Sequence, residues 1–408
     1  MKALSKAVVA ILALALLALP QVARAGGSDP PPVLFKVYPV VMNANTTSVD
    51  ITWDSTESAT GQIKIGTSSS LSGASTLTDS RSLYVHKVRI TGLKAWTRYY
   101  FQVILTNETS PTGSFVTRPS STTQPFRLVA LGDTRKGFGP EAWFMEAGED
   151  DDHRAVAAAA LSRAPNVYLG TGDYGFAGDN YDDVTNFFYQ ERALLRSTSF
   201  FPSYGNHDFT TTLEFAMPSS TNTGDTQFDS YFQVPAGGDF DYYSFNYSNV
   251  HFVAVQTNGC GSSGACPAEF APGTAQYNFL ASDLAAARAN PAIKYIVAYH
   301  HQVAVGDGGV NGDMATLNSL YAQYNVNMVV QGHVHNYERA TYNGRKYVVT
   351  GGGGSPLSGT NSSSYTNAIA WALNFIVVDF TSTSATVTAY GVVGDDNSST
   401  WVLDTFTL

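Results

Sequence analysis

The chain has 408 residues, a net charge of −10 with histidine counted as neutral, and 14% charged residues against 44% hydrophobic ones. That length allows two or three domains with sizeable cores. The acidic balance repels nucleic acid and anionic membrane at long range, so neither is expected as a partner, and a site handling phosphate here would need bound cations to reverse the local field.

Residues 1–25 read as a signal peptide. Lys2 and Lys6 precede an apolar run over 7–19, and Ala23-Arg24-Ala25 is a small-x-small cleavage signal. The run is too short, and ends too soon at Pro20 and Arg24, to make a good membrane span. The expected localisation is therefore secreted or periplasmic. Without Lys2, Lys6 and Arg24 the chain keeps 20 basic residues against 33 acidic ones, a charge near −13. Cys260 and Cys266 are the two cysteines. In an oxidising compartment they are expected to form a short-loop disulfide; two thiols without partner ligands make a poor metal site.

Over residues 33–118 short alternating runs such as Ser48-Val49-Asp50-Ile51-Thr52-Trp53 and His86-Lys87-Val88-Arg89-Ile90 are separated by Ser, Thr and Gly turns. The pattern predicts an antiparallel β-sandwich. Leu93-Lys94-Ala95-Trp96-Thr97-Arg98-Tyr99-Tyr100-Phe101 resembles the fibronectin type III signature, which makes Tyr99 the tyrosine-corner residue and Trp53 the core tryptophan. His86 has no partner motif and is read as structural, and residues 118–125 form a linker.

From residue 126 to 408 the grammar changes to strands alternating with helices, which defines an α/β domain. Strands are predicted at 126–131, 166–169, 200–204, 251–255, 293–299 and 326–330, and helices at 152–163, 182–196, 274–289 and 313–324. After residue 345 only strands follow, at 347–350, 375–380, 385–392 and 401–406. The expected architecture is a four-layer α/β/β/α sandwich with its chemistry on strand-end loops.

Five such loops carry oxygen or nitrogen ligands. They are Gly132-Asp133-Thr134-Arg135, Gly172-Asp173-Tyr174-Gly175-Phe176, Gly205-Asn206-His207-Asp208, Tyr299-His300-His301 and Gly332-His333-Val334-His335-Asn336-Tyr337-Glu338-Arg339. An aspartate after a strand is commonly only a turn or cap residue, and a single His-x-His only a polar turn. Here five of the eight histidines fall in three short segments that each follow an apolar run. Imidazole, carboxylate and amide oxygen together suit transition metals.

In this order the loops resemble the calcineurin-like metallophosphoesterases, and in particular their purple acid phosphatase branch, which also carries a fibronectin-like domain in front. The resemblance implies two divalent or mixed-valence metal ions (iron, zinc or manganese), with Asp173 bridging them. It places Asp133 and His335 on one ion, and Asn206, His300 and His333 on the other. A water shared by the ions would attack phosphorus, and His207 would protonate the departing alkoxide.

The sequence departs from that pattern at two positions. Phe176 stands where the purple branch has an iron-binding tyrosine, and Arg135 where the wider family has a histidine. Arginine cannot ligate a metal, so the first ion has one recognisable ligand fewer, and no purple colour is expected. Tyr174 and His153 are alternative ligands, although the acidic run Glu149-Asp150-Asp151-Asp152 before His153 also suits a helix cap. Arg135 is either a planar fork for phosphate oxygens or a salt-bridged arginine. The branch also has histidines some nine residues after the fourth motif; residues 302–311 contain none, which leaves His301 as the nearby catalytic helper. Glu338 and Arg339 are expected to pair with each other beside the ligands, His251 to be a core residue, and 351–354 to be a close-approach glycine loop beneath the site. The expected function is an exported two-metal phosphoric ester hydrolase acting on a small phosphorylated substrate, most simply a phosphomonoester. A phosphodiesterase on the same site and a non-catalytic binding or adhesion protein with a decayed site are the alternatives. Nothing in the sequence sets an oligomeric state.

Overall fold

The computed structural model describes residues 34–135, 148–209, 226–235, 238–258, 270–359 and 361–408. The expected signal peptide and the Cys260–Cys266 pair lie outside the described residues. Among the described residues no helix is long and apolar enough to cross a membrane.

The N-terminal part folds as five strands: β1 (Phe35–Met42), β2 (Ser48–Gly66), β3 (Ser75–Thr91), β4 (Arg98–Ile104) and β5 (Gly113–Val116). The long β2 pairs with β1 along its first half, with β4 along its second, and with β3 on its other edge. Alternate residues therefore face one interior, where Ile51, Trp53, Ile63, Phe101 and Phe115 are buried together. His86 lies flat on the Trp53 indole, with ring centroids 4.5 Å apart. Its Nδ1 is 2.9 Å from Asp79 Oδ2, and its Nε2 is 3.0 Å from the Ala59 carbonyl oxygen. His86 is thus held inside the fold. The Tyr99 hydroxyl accepts the Lys94 N–H at 3.0 Å, closing the tyrosine corner.

The chain then runs through β6 (Phe126–Leu131), α1 (Gly148–Ser162), β7 (Val167–Gly170), α2 (Tyr181–Gln190), α3 (Arg192–Leu195) and β8 (Ser199–Pro202). A second series follows: β9 (Tyr243–Tyr247), β10 (Val250–Ala254), α4 (Ala275–Ala289), β11 (Tyr295–Tyr299), the two-residue strands β12 (Val305–Gly306) and β13 (Gly309–Val310), α5 (Ala315–Gln323) and β14 (Met328–Gln331). The chain ends with six strands: β15 (Tyr337–Tyr342), β16 (Arg345–Thr350), β17 (Thr366–Ala370), β18 (Leu373–Phe380), β19 (Ala385–Gly394) and β20 (Asn397–Thr407).

Two sheets result. One is eleven-stranded, in the order β20-β19-β18-β6-β7-β8-β1-β2-β4-β5 with β3 beside β2; the other is seven-stranded, in the order β17-β15-β16-β14-β11-β10-β9. Because β11, and β6 from Leu128 onward, are apolar on both faces, each residue's parity decides its layer. Leu128 and Ala130 join Val297 and Tyr299 between the sheets. Val129 and Leu131 pack with Ala155 and Val156 of α1, while Ile296 and Ala298 pack with residues of α4 and α5. The layers are α/β/β/α. The sequence missed β9, β15, β17 and the two-residue strands β12 and β13. The acidic run at 149–152 lies inside α1 rather than before it.

The N-terminal strands do not stand apart. β1 continues the large sheet through the parallel Met42–Phe200 pairing. Asp54 is buried, and its Oδ2 accepts hydrogen bonds from the Tyr181 and Tyr231 hydroxyls, each at 2.8 Å. The Lys87 ammonium donates to the Asp229 and Phe232 carbonyls at 2.7 and 2.9 Å. Burial and Asp54 together push the Tyr181 hydroxyl up to about 12. Asp54→Ala leaves both hydroxyls without their acceptor, so the full chain should lose about 2–3 kcal/mol of stability, the worth of such bonds to a buried acceptor. Denaturant titration checks this; an unchanged midpoint would show that the contact carries no stability.

Candidate metal centre

The five ligand-bearing loops leave the C-terminal ends of β6, β7, β8, β11 and β14, the usual location of sites in sheets of parallel strands. Three of their non-glycine residues take the left-handed backbone region: Asp133 (φ 57°), Asp173 (φ 57°) and His333 (φ 70°). Such conformations persist where surrounding contacts over-determine them. The Asp133 N–H donates to the Gly172 carbonyl at 2.9 Å, and the Thr134 and Arg135 N–H groups donate to the Asp173 carbonyl at 3.0 and 3.1 Å. The buried Asp208 carboxylate accepts the N–H groups of Gly205 (2.7 Å), Asp173 (2.8 Å) and Tyr174 (2.7 Å), fastening the second loop to the third. Asp208 was not singled out from the sequence, although it ends the Gly-Asn-His-Asp motif. Gly332 is required for close approach: a Cβ there would lie 2.6 Å from Asp133 Oδ2.

Six side chains converge in this frame. Asn206 Oδ1 lies 3.0 Å from His301 Nε2 and 3.1 Å from His333 Nδ1. His301 Nε2 is 3.3 Å from Asp173 Oδ1 and 3.2 Å from His333 Nδ1. His335 Nε2 is 3.5 Å from Asp133 Oδ1, and the His333 N–H donates to both Asp133 oxygens at 3.0 and 2.9 Å. Ligand atoms of Asp133, Asp173 and His301 all fall within 4.8 Å of one another.

Carbonyl groups orient the rings from outside. His301 Nδ1–H donates to Thr171 O at 2.8 Å, His335 Nδ1–H to Pro356 O at 2.7 Å, and His207 Nδ1–H to Phe176 O at 2.8 Å. The Nε2 lone pairs of neutral His301 and His335 consequently point inward at carboxylate and amide oxygens. Lone pairs facing lone pairs repel until a proton or a cation lies between them. Burial drives the Asp133 carboxyl up to about 8. Burial also pulls the His301 imidazole down, but Asp173 and Asp133 outweigh it and bring it up to about 9. Burial also raises Asp173, yet His301, His207 and Arg135 hold it well below the carboxylate range. His333 and His335 are lowered, chiefly by burial, to about 3 and about 4. The donor set of two carboxylates, one amide oxygen and three inward imidazole nitrogens fits divalent cations.

Several sequence expectations need correction. His300 was expected among the ligands, but it lies outside the cluster, stacked near Tyr321 of α5 with ring centroids 6.2 Å apart. Parity along the strand is the reason. Val297, Tyr299 and His301 face the space between the sheets, whereas Ala298 and His300 face the helices. His301 occupies the cluster instead. Tyr174 cannot replace the missing tyrosine ligand, since its buried hydroxyl donates to Ser203 O at 2.8 Å. His153 is also elsewhere, buried against Glu191 at 3.1 Å. Glu338 and Arg339 do not pair with each other, because neighbours on β15 face opposite sides. Glu338 accepts the Asp307 N–H and the Thr366 hydroxyl, and Arg339 pairs with Asp404 at 2.6 Å.

Arg135 donates from Nε to Asp173 Oδ2 at 3.2 Å, and its guanidinium lies 5.6 Å from the Phe176 ring centroid. Phe176 packs against His207, with ring centroids 5.1 Å apart, and the His207 N–H donates to Asp173 Oδ1 at 2.9 Å. His251 is buried between Asn246 and Asp283. The glycine loop does approach the site closely: a Cβ on Gly351 would lie 2.9 Å from Asp133 Oδ2.

Residues 36–117 match the family described as the purple acid phosphatase N-terminal domain, and residues 126–337 match the calcineurin-like phosphoesterases. An uncharacterised protein of Mycobacterium tuberculosis (strain ATCC 25618 / H37Rv) is 25% identical over 77% of this chain and 63% of its own length. Purple acid phosphatase 22 of Arabidopsis thaliana is 26% identical over 62% of this chain and 53% of its own length. The chain thus spans less than two thirds of the curated relatives it matches. Among solved structures, the purple acid phosphatase from yellow lupin (Lupinus luteus) seeds superposes with a TM-score of 0.69 at 18% identity, covering 91% of this chain and 74% of its own. The structure of PhoD superposes with a TM-score of 0.68 at 12% identity, covering 94% of this chain and 91% of its own. These two likenesses concern the fold. With more than half of its length matched, the chain belongs to the calcineurin-like phosphoesterase family.

Proposed function

We propose that the protein is an exported phosphoric ester hydrolase using two metal ions and acting on small phosphomonoesters. The observation that carries this reading is the convergence of six oxygen and nitrogen donors in one buried cluster, four of them, Asp133, Asp173, His301 and His335, fixed by hydrogen bonds to backbone groups. Asp133 and His335 would hold one cation, Asn206, His301 and His333 the other, with Asp173 between them. Cations bound there would neutralise phosphate charge and make a water nucleophilic near neutral pH.

The chain's own residues supply the rest. Arg135, 14% exposed at its side chain, lies over Phe176 with its fork beside Asp173, where it would bind non-bridging phosphate oxygens. His207 keeps Nδ1 on the Phe176 carbonyl, which leaves Nε2 to deliver a proton to the departing alkoxide. The signal-like residues 1–25 support export. The direct test is metal analysis of purified protein with parallel assays on a nitrophenyl phosphate and a bis-nitrophenyl phosphate. The monoester should turn over faster, and chelation should abolish both activities. Metal-loaded protein that cleaves neither ester would refute the proposal.

Two variant sets separate the roles. His301→Ala should lower metal affinity at least tenfold, because a ligand is worth no less than the outer contacts whose loss costs about 10–100-fold. His300→Ala should retain metal and instead lose about 2–4 kcal/mol of stability from the truncated buried ring. Metal titration and thermal unfolding check the pair; the reverse pattern would restore His300 as the ligand.

Arg135→Ala should lower kcat/KM for the monoester by about 1.5–3 kcal/mol, the worth of a charge-assisted hydrogen bond. The diester, with less charge and fewer free oxygens, should suffer less. Equal losses on the two substrates would make Arg135 a residue that orients Asp173 and nothing more.

A further inference from the structure

A groove of about 380 Å³ opens beside the centre, with His333 in its wall and Gln302, Val303, Val334, Asn311 and Asp307 among its other lining residues. Its size suits a ring-sized group. The groove shares His333 with the cluster, so the part of a substrate that leaves with the ester oxygen can extend into it. Val303 and Val334 are largely buried and give it an apolar floor.

Charge distinguishes the groove from the centre. Among the described residues no lysine or arginine lines it, and Asp307 is its one acidic residue. Asp307 sits with φ 45° on the tight turn between β12 and β13, followed by Gly308 at φ 92°. Its N–H donates to Glu338 Oε2 at 2.7 Å, and its Oδ1 accepts from Asn361 Nδ2 at 3.0 Å. The carboxylate is held at the rim rather than swinging freely in solvent. Glu338 lies directly beneath, 1% exposed, with Oε2 3.1 Å from where a Gly306 Cβ would be. Glu338 Oε2 accepts the Asp307 N–H, and its Oε1 accepts the Thr366 hydroxyl.

From this arrangement we infer that the groove is the leaving-group subsite and that Asp307 sets its specificity against anionic leaving groups. The inference rests on the phosphoester-hydrolase reading. The metal centre draws in a phosphate, while the rim repels a second negative charge on the alcohol side. Substrates with a neutral or amine-bearing alcohol are accepted ahead of those with a carboxylate or a further phosphate. A unit charge a few ångströms from a partly solvated carboxylate changes binding by about three- to tenfold at moderate salt.

The test uses three phenyl phosphates of similar size, bearing a 4-aminomethyl, a 4-carbamoyl or a 4-carboxylate group, with the metal-loaded full chain. The expected order of kcat/KM is aminomethyl, then carbamoyl, then carboxylate. Asp307→Asn, which tolerates the left-handed turn, should raise the carboxylate-to-carbamoyl ratio about three- to tenfold. Asn361→Lys, which sets a cation beside Asp307, should shift the ratio in the same direction. Turnover of all three esters with the ratio unmoved in both variants would overturn the role of Asp307. Turnover of none would overturn the hydrolase reading itself, and this inference with it.

Discussion

Two carboxylates, Asp133 and Asp173, are buried in one small volume, and neither can be ionised there without a compensating charge. The rest of the fold answers to that constraint. Backbone N–H groups of His333 and His207 reach the two carboxylates. The left-handed backbone at Asp133, Asp173 and His333 makes these approaches possible, and glycines at 332 and 351 leave room for them. Without cations the charge is balanced by protons, and Asp133 and His301 are both shifted to hold one. Cation binding displaces those protons, so affinity and acidity are coupled at this site.

Rigidity comes from the layers around the centre. The loops emerge from strands of both sheets, so the cluster is assembled only when the two sheets pack face to face. The parity that fills the space between them with Ala130, Val297 and Tyr299 is the same parity that delivers His301. Asp208 adds a local clamp between the second and third loops. The N-terminal strands brace the same region from outside, through Met42 on β8 and through Asp54 and Lys87 on the segment carrying Tyr231. Tyr204, next to the third loop, in turn donates to Asp229 of that segment at 2.5 Å.

Much of this was legible in the sequence, for identifiable reasons. Strand-end aspartates and clustered histidines stand out because the surrounding strands are apolar. Trp53 and Tyr99 were placed by the resemblance to the fibronectin type III signature, and His86 was read as structural because it lies in a strand without a partner motif. The choice between His300 and His301 was not readable in the same way. Tyr295-Ile296-Val297-Ala298-Tyr299 is buried on both faces, so no polar–apolar alternation reveals which parity faces the site. Glu338 and Arg339 were misread as a pair because β15, which turns them to opposite sides, follows the His-x-His loop without a turn signal. Asp208 was overlooked because its partners are backbone groups, which leave no side-chain signature. Asp307 gains meaning only from the groove and from Glu338 beneath it, a contact between residues far apart in sequence.

The central claim is that these donors hold two cations with Asp173 between them. A crystal structure of metal-soaked protein, with ions identified by anomalous scattering, tests it most directly. The account predicts two ions about 3.5–4 Å apart, one on Asp133 and His335, the other on Asn206, His301 and His333, both touching Asp173. A single ion, or an ion held by His300, would contradict it.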